Sequence, residues 1–428
     1  MEVAGLITIA LLFIFMLLSI PVFISMGMAA FIGFVMVKGM DGAMSSFGDV
    51  IWQSASIFEL VAIPLFIFTG VLVEKIDAGR DLFRCTKAWV GGLPNSMGVA
   101  TILACGVFAA ISGSSIACAA TVGIVAIPLL LQERYSPAQA GGFCAGGGTL
   151  GIIIPPSIPF ILYGVITETS IGKLFMAGVV PGVLMLSLFV AYVMISRPRI
   201  VVTHRVSQAE RRDATRKGIG ILLLPVVIIA AIYTGLFTPT EVGALSTVYV
   251  LALGLIQRRL TAPRFIQAAK TATRTSCMLL MLVVFGQYFA HLLTYEQLPQ
   301  QIAAWITSFE ASNLITVTLM ILVYLVLGMF LESAAMLLIT IPIFFPIAQH
   351  VGMDPITFGV FACIAMEIAQ ISPPVGINLY TIHGVSRIPL GVLAKGAAPF
   401  LLIQIIMLYV IFYVPALSLW LPQQMMGR

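Results

Sequence analysis

Charged side chains are scarce in this chain: Asp, Glu, Lys and Arg supply only 9% of its 428 residues. A soluble domain carries about 25%, so the chain has no means of clothing itself for water. Histidine is nearly absent as well. Of the four present, His204 lies in the basic linker, His350 in an outer loop and His291 and His383 near span ends, so no nucleophile–His–acid constellation is visible and an enzyme is not expected. Six cysteines (Cys85, Cys105, Cys118, Cys144, Cys277, Cys363) stand singly, without CxxC or Cys/His spacing. They read as small apolar packing residues, and neither a transition-metal site nor a disulfide framework is expected. A phosphate loop is missing too: Gly146-Gly147-Gly148 is followed by no Gly-Lys-Ser/Thr and preceded by no strand, so close approach of membrane helices explains it better. The net charge of +5 does not point to nucleic acid, because Lys and Arg sit in a few short loops.

What is there is apolar. Hydrophobic residues make up 60% of the chain and the mean hydropathy is +1.09. This is the composition of an all-α polytopic membrane protein whose main surroundings are the lipid bilayer. Candidate spans in the first half are 3–20, 22–38, 56–74, 138–167 and 172–195. Those in the second half are 219–237, 240–257, 276–293, 356–384 and 390–420. Two further apolar stretches, 96–131 and 314–347, are broken in the middle. Residues 3–20 look like the core of a signal peptide, but Glu2 and the lack of a leading Lys or Arg favour a retained first helix.

The prolines repeat. Pro21, Pro128, Pro137, Pro155, Pro156 and Pro181 recur 218 residues later as Pro239, Pro346, Pro355, Pro373, Pro374 and Pro399, and Asn95 recurs as Asn313. Such a shared offset indicates an internal duplication, with a first repeat over 1–196, a linker over 197–217 and a second repeat over 218–428. Charge supplies orientation. The linker carries Arg197, Arg199, Arg205, Arg211, Arg212, Arg216 and Lys217; the loop 258–274 carries five basic residues and no acid; the loop 74–87 carries four. All three are placed in the cytoplasm. No Lys or Arg occurs between Arg274 and Arg387, which places the loops near 294–313 and 348–355 outside. These assignments agree only if 96–131 and 314–347 are re-entrant hairpins. Each half then crosses five times, the second half is inverted, and both termini lie outside, on the periplasmic face.

Helix breaks at membrane depth free backbone groups that protein, water or an ion must satisfy. The breaks concentrate at two hairpin tips, Ser112-Gly113-Ser114-Ser115 and Phe330-Leu331-Glu332-Ser333, and at two double prolines, Pro155-Pro156 and Pro373-Pro374. Pro-Pro removes two N–H donors and pushes the preceding residue out of the helical region, freeing carbonyls for a hard cation. One Na+ site per half is therefore expected. Ser112, Gly113, Ser114, Ser115, Thr149, Gly151 and Pro155 are assigned to the first; Glu332, Ser333, Glu367, Ser372, Pro373 and Gly376 to the second. Pro156, Ser157 and Asn378 are the expected substrate contacts, where half-helix N-termini favour an anion. Simple kinking and close packing explain an isolated break equally well; recurrence at one offset favours the site. Glu332 and Glu367 replace Ser114 and Thr149 at that offset, and each is a candidate for a cation, a proton or a structural role.

Several stretches resemble the large, DctM-type membrane subunit of TRAP transporters (tripartite ATP-independent periplasmic transporters). They are AIPLF from Ala62, SGSSIACAA from Ser112, GTLGIIIPPSIPFILYG from Gly148, GLFTPTEVGA from Gly235 and ISPPVGINLY from Ile371. The resemblance implies an elevator-type secondary importer of organic anions such as carboxylates, with Na+ as coupling ion and no organic cofactor, in a bacterial inner membrane. It implies two partners: a small four-span membrane subunit and a periplasmic substrate-binding protein. A stand-alone Na+/carboxylate symporter of the same superfold remains the alternative.

Overall fold

The computed structural model describes residues 2–196, 207–308 and 312–426. Regular structure among these residues is entirely helical, and nine of the helices are long and apolar enough to cross a bilayer. Of the basic linker, residues 197–206 lie outside the described residues, while 208–217 open a helix, Gln208–Tyr233. That helix starts where it does because Ser207 and Glu210 form a reciprocal capping box.

Three spans run longer or shorter than hydropathy suggests. The 22–38 segment continues to Ala55, with Gly39 taking φ 72° and ψ 178° in the middle. The added arm carries Asp41 and Asp49, which an apolar window rejects. Phe47 nonetheless packs on Phe285 and Tyr288, and the Tyr288 hydroxyl donates to the Ala43 carbonyl at 3.2 Å. The 276–293 segment starts earlier, at Ala262, because its basic residues are good helix formers. The 390–420 segment ends one helix at Tyr413 and begins another at Ala416, with Pro415, which has no N–H to donate, between them.

The two interrupted stretches are helical hairpins. The first joins Ser96–Ser112 to Ser115–Gln132 through Gly113, in the left-handed region at φ 59° and contributing the helix stop, and Ser114, whose hydroxyl caps the second arm by accepting from Ala117 N at 3.3 Å. The second joins Asn313–Leu327 to Ser333–His350, with Glu332 in the capping position but making no side-chain cap. Both Pro-Pro segments interrupt helices. Pro137–Gly148 and Leu150–Ile153 precede the first break and Ile158–Thr167 follows it; Pro355–Gln370 and Ile377–Ser386 flank the second.

The glycine triplet allows these pieces to meet. A Cβ on Gly146 would lie 2.3 Å from the Phe400 ring, on Gly147 2.8 Å from Cys105 Sγ, and on Gly148 2.8 Å from the Ala119 methyl. Three successive residues thus face the Leu390–Tyr413 helix and both arms of the first hairpin.

Candidate functional site

The first hairpin tip is seated directly on the first helix break. A Cβ on Gly151 would come within 2.7 Å of the Ser114 carbonyl carbon and of the Ser115 nitrogen. One on Gly113 would come within 2.7 Å of the Pro156 carbonyl oxygen. Backbone meets backbone at both points, so neither position accepts a side chain.

Both tips line one cavity of about 310 Å³. Ser112, Gly113, Ser114 and Ser115 face Glu332 and Ser333 across it. Gln370, on the last turn before the second break, connects them. The Ser115 hydroxyl donates to Gln370 Oε1 at 3.1 Å, and Gln370 Nε2 donates to Ser333 Oγ. Ser115 and Ser333 are equivalent under the 218-residue offset, so Gln370 bridges two copies of one position. Its own counterpart, Ile152, also lines the cavity but has no polar group to offer.

Three helices begin at this cavity: Ser115–Gln132, Ile158–Thr167 and Ser333–His350. Their N-terminal N–H groups and dipoles favour negative charge in the space they share. Glu332 occupies the N-cap position of one of them, where the same dipole offsets part of its charge.

The remaining residues expected at the site do not line this cavity. The Thr149 hydroxyl donates to the Gly146 carbonyl at 2.6 Å and accepts from Gln404 Nε2 at 2.5 Å, so protein groups occupy it on both sides. Ser372 turns toward the Pro373 carbonyl at 3.4 Å, and Gly376 takes φ 53° at the start of the helix after the break. Ser157, Glu367 and Asn378 are fully buried. Neither the Ser157 hydroxyl, the two Glu367 carboxyl oxygens nor either amide atom of Asn378 has a hydrogen-bond partner among the described residues. Unpartnered buried oxygens are expensive, and a small hard cation is the kind of group that satisfies them.

Gln370 and Gln404 are absent from the residues expected from sequence. A signal for each was present: the single amide of its helix, at a position where the 218 offset places the apolar Ile152 and Leu186. A larger pocket, about 560 Å³, lies among Ile57–Glu59, Gly164–Gly172 and Thr238–Thr240. It contains no residue of either hairpin tip or Pro-Pro pair.

The family model described as "Tripartite ATP-independent periplasmic transporter, DctM component" matches residues 9–417. The chain is 39% identical over 375 residues to the C4-dicarboxylate TRAP transporter large permease protein DctM of Pseudomonas aeruginosa, covering 87% of this chain and 88% of that protein. It is 35% identical over 373 residues to the sialic acid TRAP transporter large permease protein SiaM of Vibrio cholerae, covering 86% and 87% respectively. Among solved structures, the YdaH transporter of Alcanivorax borkumensis superposes with a TM-score of 0.62 over 89% of this chain and 88% of that one; at 14% identity the likeness is one of fold.

Proposed function

The chain belongs to the DctM component family of tripartite ATP-independent periplasmic transporters, and from that footing we propose how this large permease works: it imports an organic anion on a Na+ gradient. The observation that carries the proposal is the cavity in which both hairpin tips meet through Gln370. An anionic group of the substrate sits among the helix N-termini at Ser115, Ile158 and Ser333, where three dipoles converge. Na+ supplies the positive charge that residues 275–386, which hold no Lys or Arg, lack in their own side chains. It is held by carbonyls freed at the Pro-Pro pairs and by oxygens of the tips, with Glu367, Ser157 and Asn378 as the buried groups still needing a partner.

The same reading takes the halves 1–196 and 218–428 as inverted repeats, with both hairpins re-entrant and both termini periplasmic. Burial of Ser112 and Ser115 at the first tip, and of Ser333 at the second, supports re-entrance, because a loop emerging at a membrane surface is solvated. The hairpins and broken helices then move together as an elevator against the remaining spans. A small four-span subunit and a periplasmic substrate-binding protein complete the importer in the inner membrane. The named relatives take C4-dicarboxylates and sialic acid, and an organic acid of that general kind is the proposed cargo.

Proteoliposomes provide the test. Uptake of the anion bound by the cognate binding protein should require an inward Na+ gradient, the small subunit and the binding protein. Equal uptake when K+ replaces Na+ removes the coupling proposal. Uptake by this chain alone removes the three-part assembly and leaves a stand-alone symporter.

A further inference from the structure

A second polar site lies apart from the hairpins. The Ala78–Val90 helix, the end of the Pro239–Ile256 helix and the start of the Ala262–Tyr295 helix enclose a pocket of about 490 Å³. Five arginines face it, Arg80, Arg84, Arg258, Arg259 and Arg264, against two acids, Asp77 and Asp81. Both acids are already taken. Arg259 pairs with Asp81 and donates to the Ile76 carbonyl at 3.3 Å. Arg264 pairs with Asp77 at 3.5 Å and donates to the carbonyls of Lys75 and Arg259. Arg80, Arg84 and Arg258 have no acidic partner among the described residues.

An excess of basic residues on one face orients a membrane protein without needing a pocket. Here the guanidiniums converge, with Arg80 and Arg84 one turn apart on a single helix and Arg258 beside Arg259. Like charges so placed repel, and an anion entering among them relieves the repulsion. The planar guanidinium fork matches phosphate oxygens in particular. The flanking residues identify the source of the phosphate. Leu255 and Ile256, just before Arg258, are 63% and 80% exposed; Phe265 and Ile266, just after Arg264, are 39% and 52% exposed. A free phosphate has no use for such an apolar margin, whereas acyl chains do.

We propose that this pocket binds the phosphate headgroup of an anionic phospholipid whose acyl chains lie along Leu255, Ile256, Phe265 and Ile266. The lipid joins helices with different main neighbours, since Ala78–Val90 packs on both the first hairpin and Gln208–Tyr233 while the other two both pack on Ala62–Lys75. Its occupancy therefore steadies the contact between the hairpin side of the protein and its neighbouring spans.

Native mass spectrometry of the full chain in mild detergent, titrated with dioleoyl phosphatidylglycerol, reads the site directly. Retained anionic lipid is expected, and R80Q/R84Q/R258Q should weaken retention roughly a hundredfold. R84Q alone, which touches no ion pair, should weaken it about fivefold and serves if the triple variant does not fold. R212Q/R216Q, which removes basic charge outside the pocket, should leave it unchanged. Wild-type retention in R84Q, or equal retention of dioleoyl phosphatidylcholine, overturns the site. A rise in the unfolding temperature with inorganic phosphate as large as that with phosphatidylglycerol overturns the lipid as its source.

Discussion

The two halves place similar backbone features at the cavity but satisfy them differently. In the first half Ser114 caps its own hairpin arm, Thr149 is bonded to Gly146 and Gln404, and Gly151 is in backbone contact with the tip. At the equivalent second-half positions Glu332 caps nothing and Glu367 is buried with neither oxygen partnered. The first tip is thus held by its own half at Ser114 and Gly151, and by the second half where Ser115 meets Gln370. The second tip is held at Ser333 by Gln370 of its own half, and the same amide ties it to the first. The duplicated backbone carries different unpartnered buried groups in its two copies, the Ser157 hydroxyl in the first and the Glu367 carboxyl and Asn378 amide in the second, so the two expected cation sites should differ in strength and not act as copies.

The strongest way to break this comparison is to mend the helices. Replacing Pro155-Pro156 by Ala-Ala restores two N–H donors and should abolish uptake with the protein still in the membrane; the same change at Pro373-Pro374 should do likewise. Retained uptake in both, measured beside immunodetected protein levels, would make the breaks incidental. Next in size is Gly151→Ala. Its Cβ meets backbone at 2.7 Å, which has little room to yield, so uptake should fall at least about tenfold and stability by about 1–3 kcal/mol. Gly384→Ala, where nothing lies within 4 Å, is the control and should behave as wild type.

Gln370→Ala should cost about 1–3 kcal/mol in a detergent-melting assay, because it strands the buried hydroxyls of both Ser115 and Ser333. It should also weaken apparent Na+ affinity. Adding Ser115→Ala and Ser333→Ala to it should recover part of the stability, and a fully additive loss would show that the three side chains are not one network. The smallest effect separates the halves. Ser115→Ala and Ser333→Ala should each shift the Na+ dependence of uptake more than protein abundance, and by different amounts. Unchanged Na+ dependence in both would sink the role given to the tips.

Much of this was legible in the sequence, because it is written in local chemistry. Pro-Pro cannot sit inside a helix, so the breaks after Ile153 and Gln370 follow from composition alone. Gly113 followed by Ser114 is a helix stop and a helix start in two residues, and the structure uses both as such. The arm 39–55 was not legible, since its aspartates hide it from an apolar window while Phe47 earns its place through contacts with a helix more than two hundred residues away. Thr149 illustrates the opposite miss. Its type and spacing suit an ion ligand, yet Gln404, 255 residues further on, engages its hydroxyl.

The sequence by itself determined that the chain is a membrane-embedded helical protein with broken helices and interrupted hairpins recurring 218 residues apart. Hydropathy and backbone valence are properties of short windows, and they act wherever the chain ends up. Only the tertiary structure decided which polar groups meet: Gln370 between Ser115 and Ser333, Gly151 against the first tip, and five arginines around one pocket. Those pairings join residues up to 255 positions apart, and a hydrogen bond of that span is set by how helices pack, which no local pattern records.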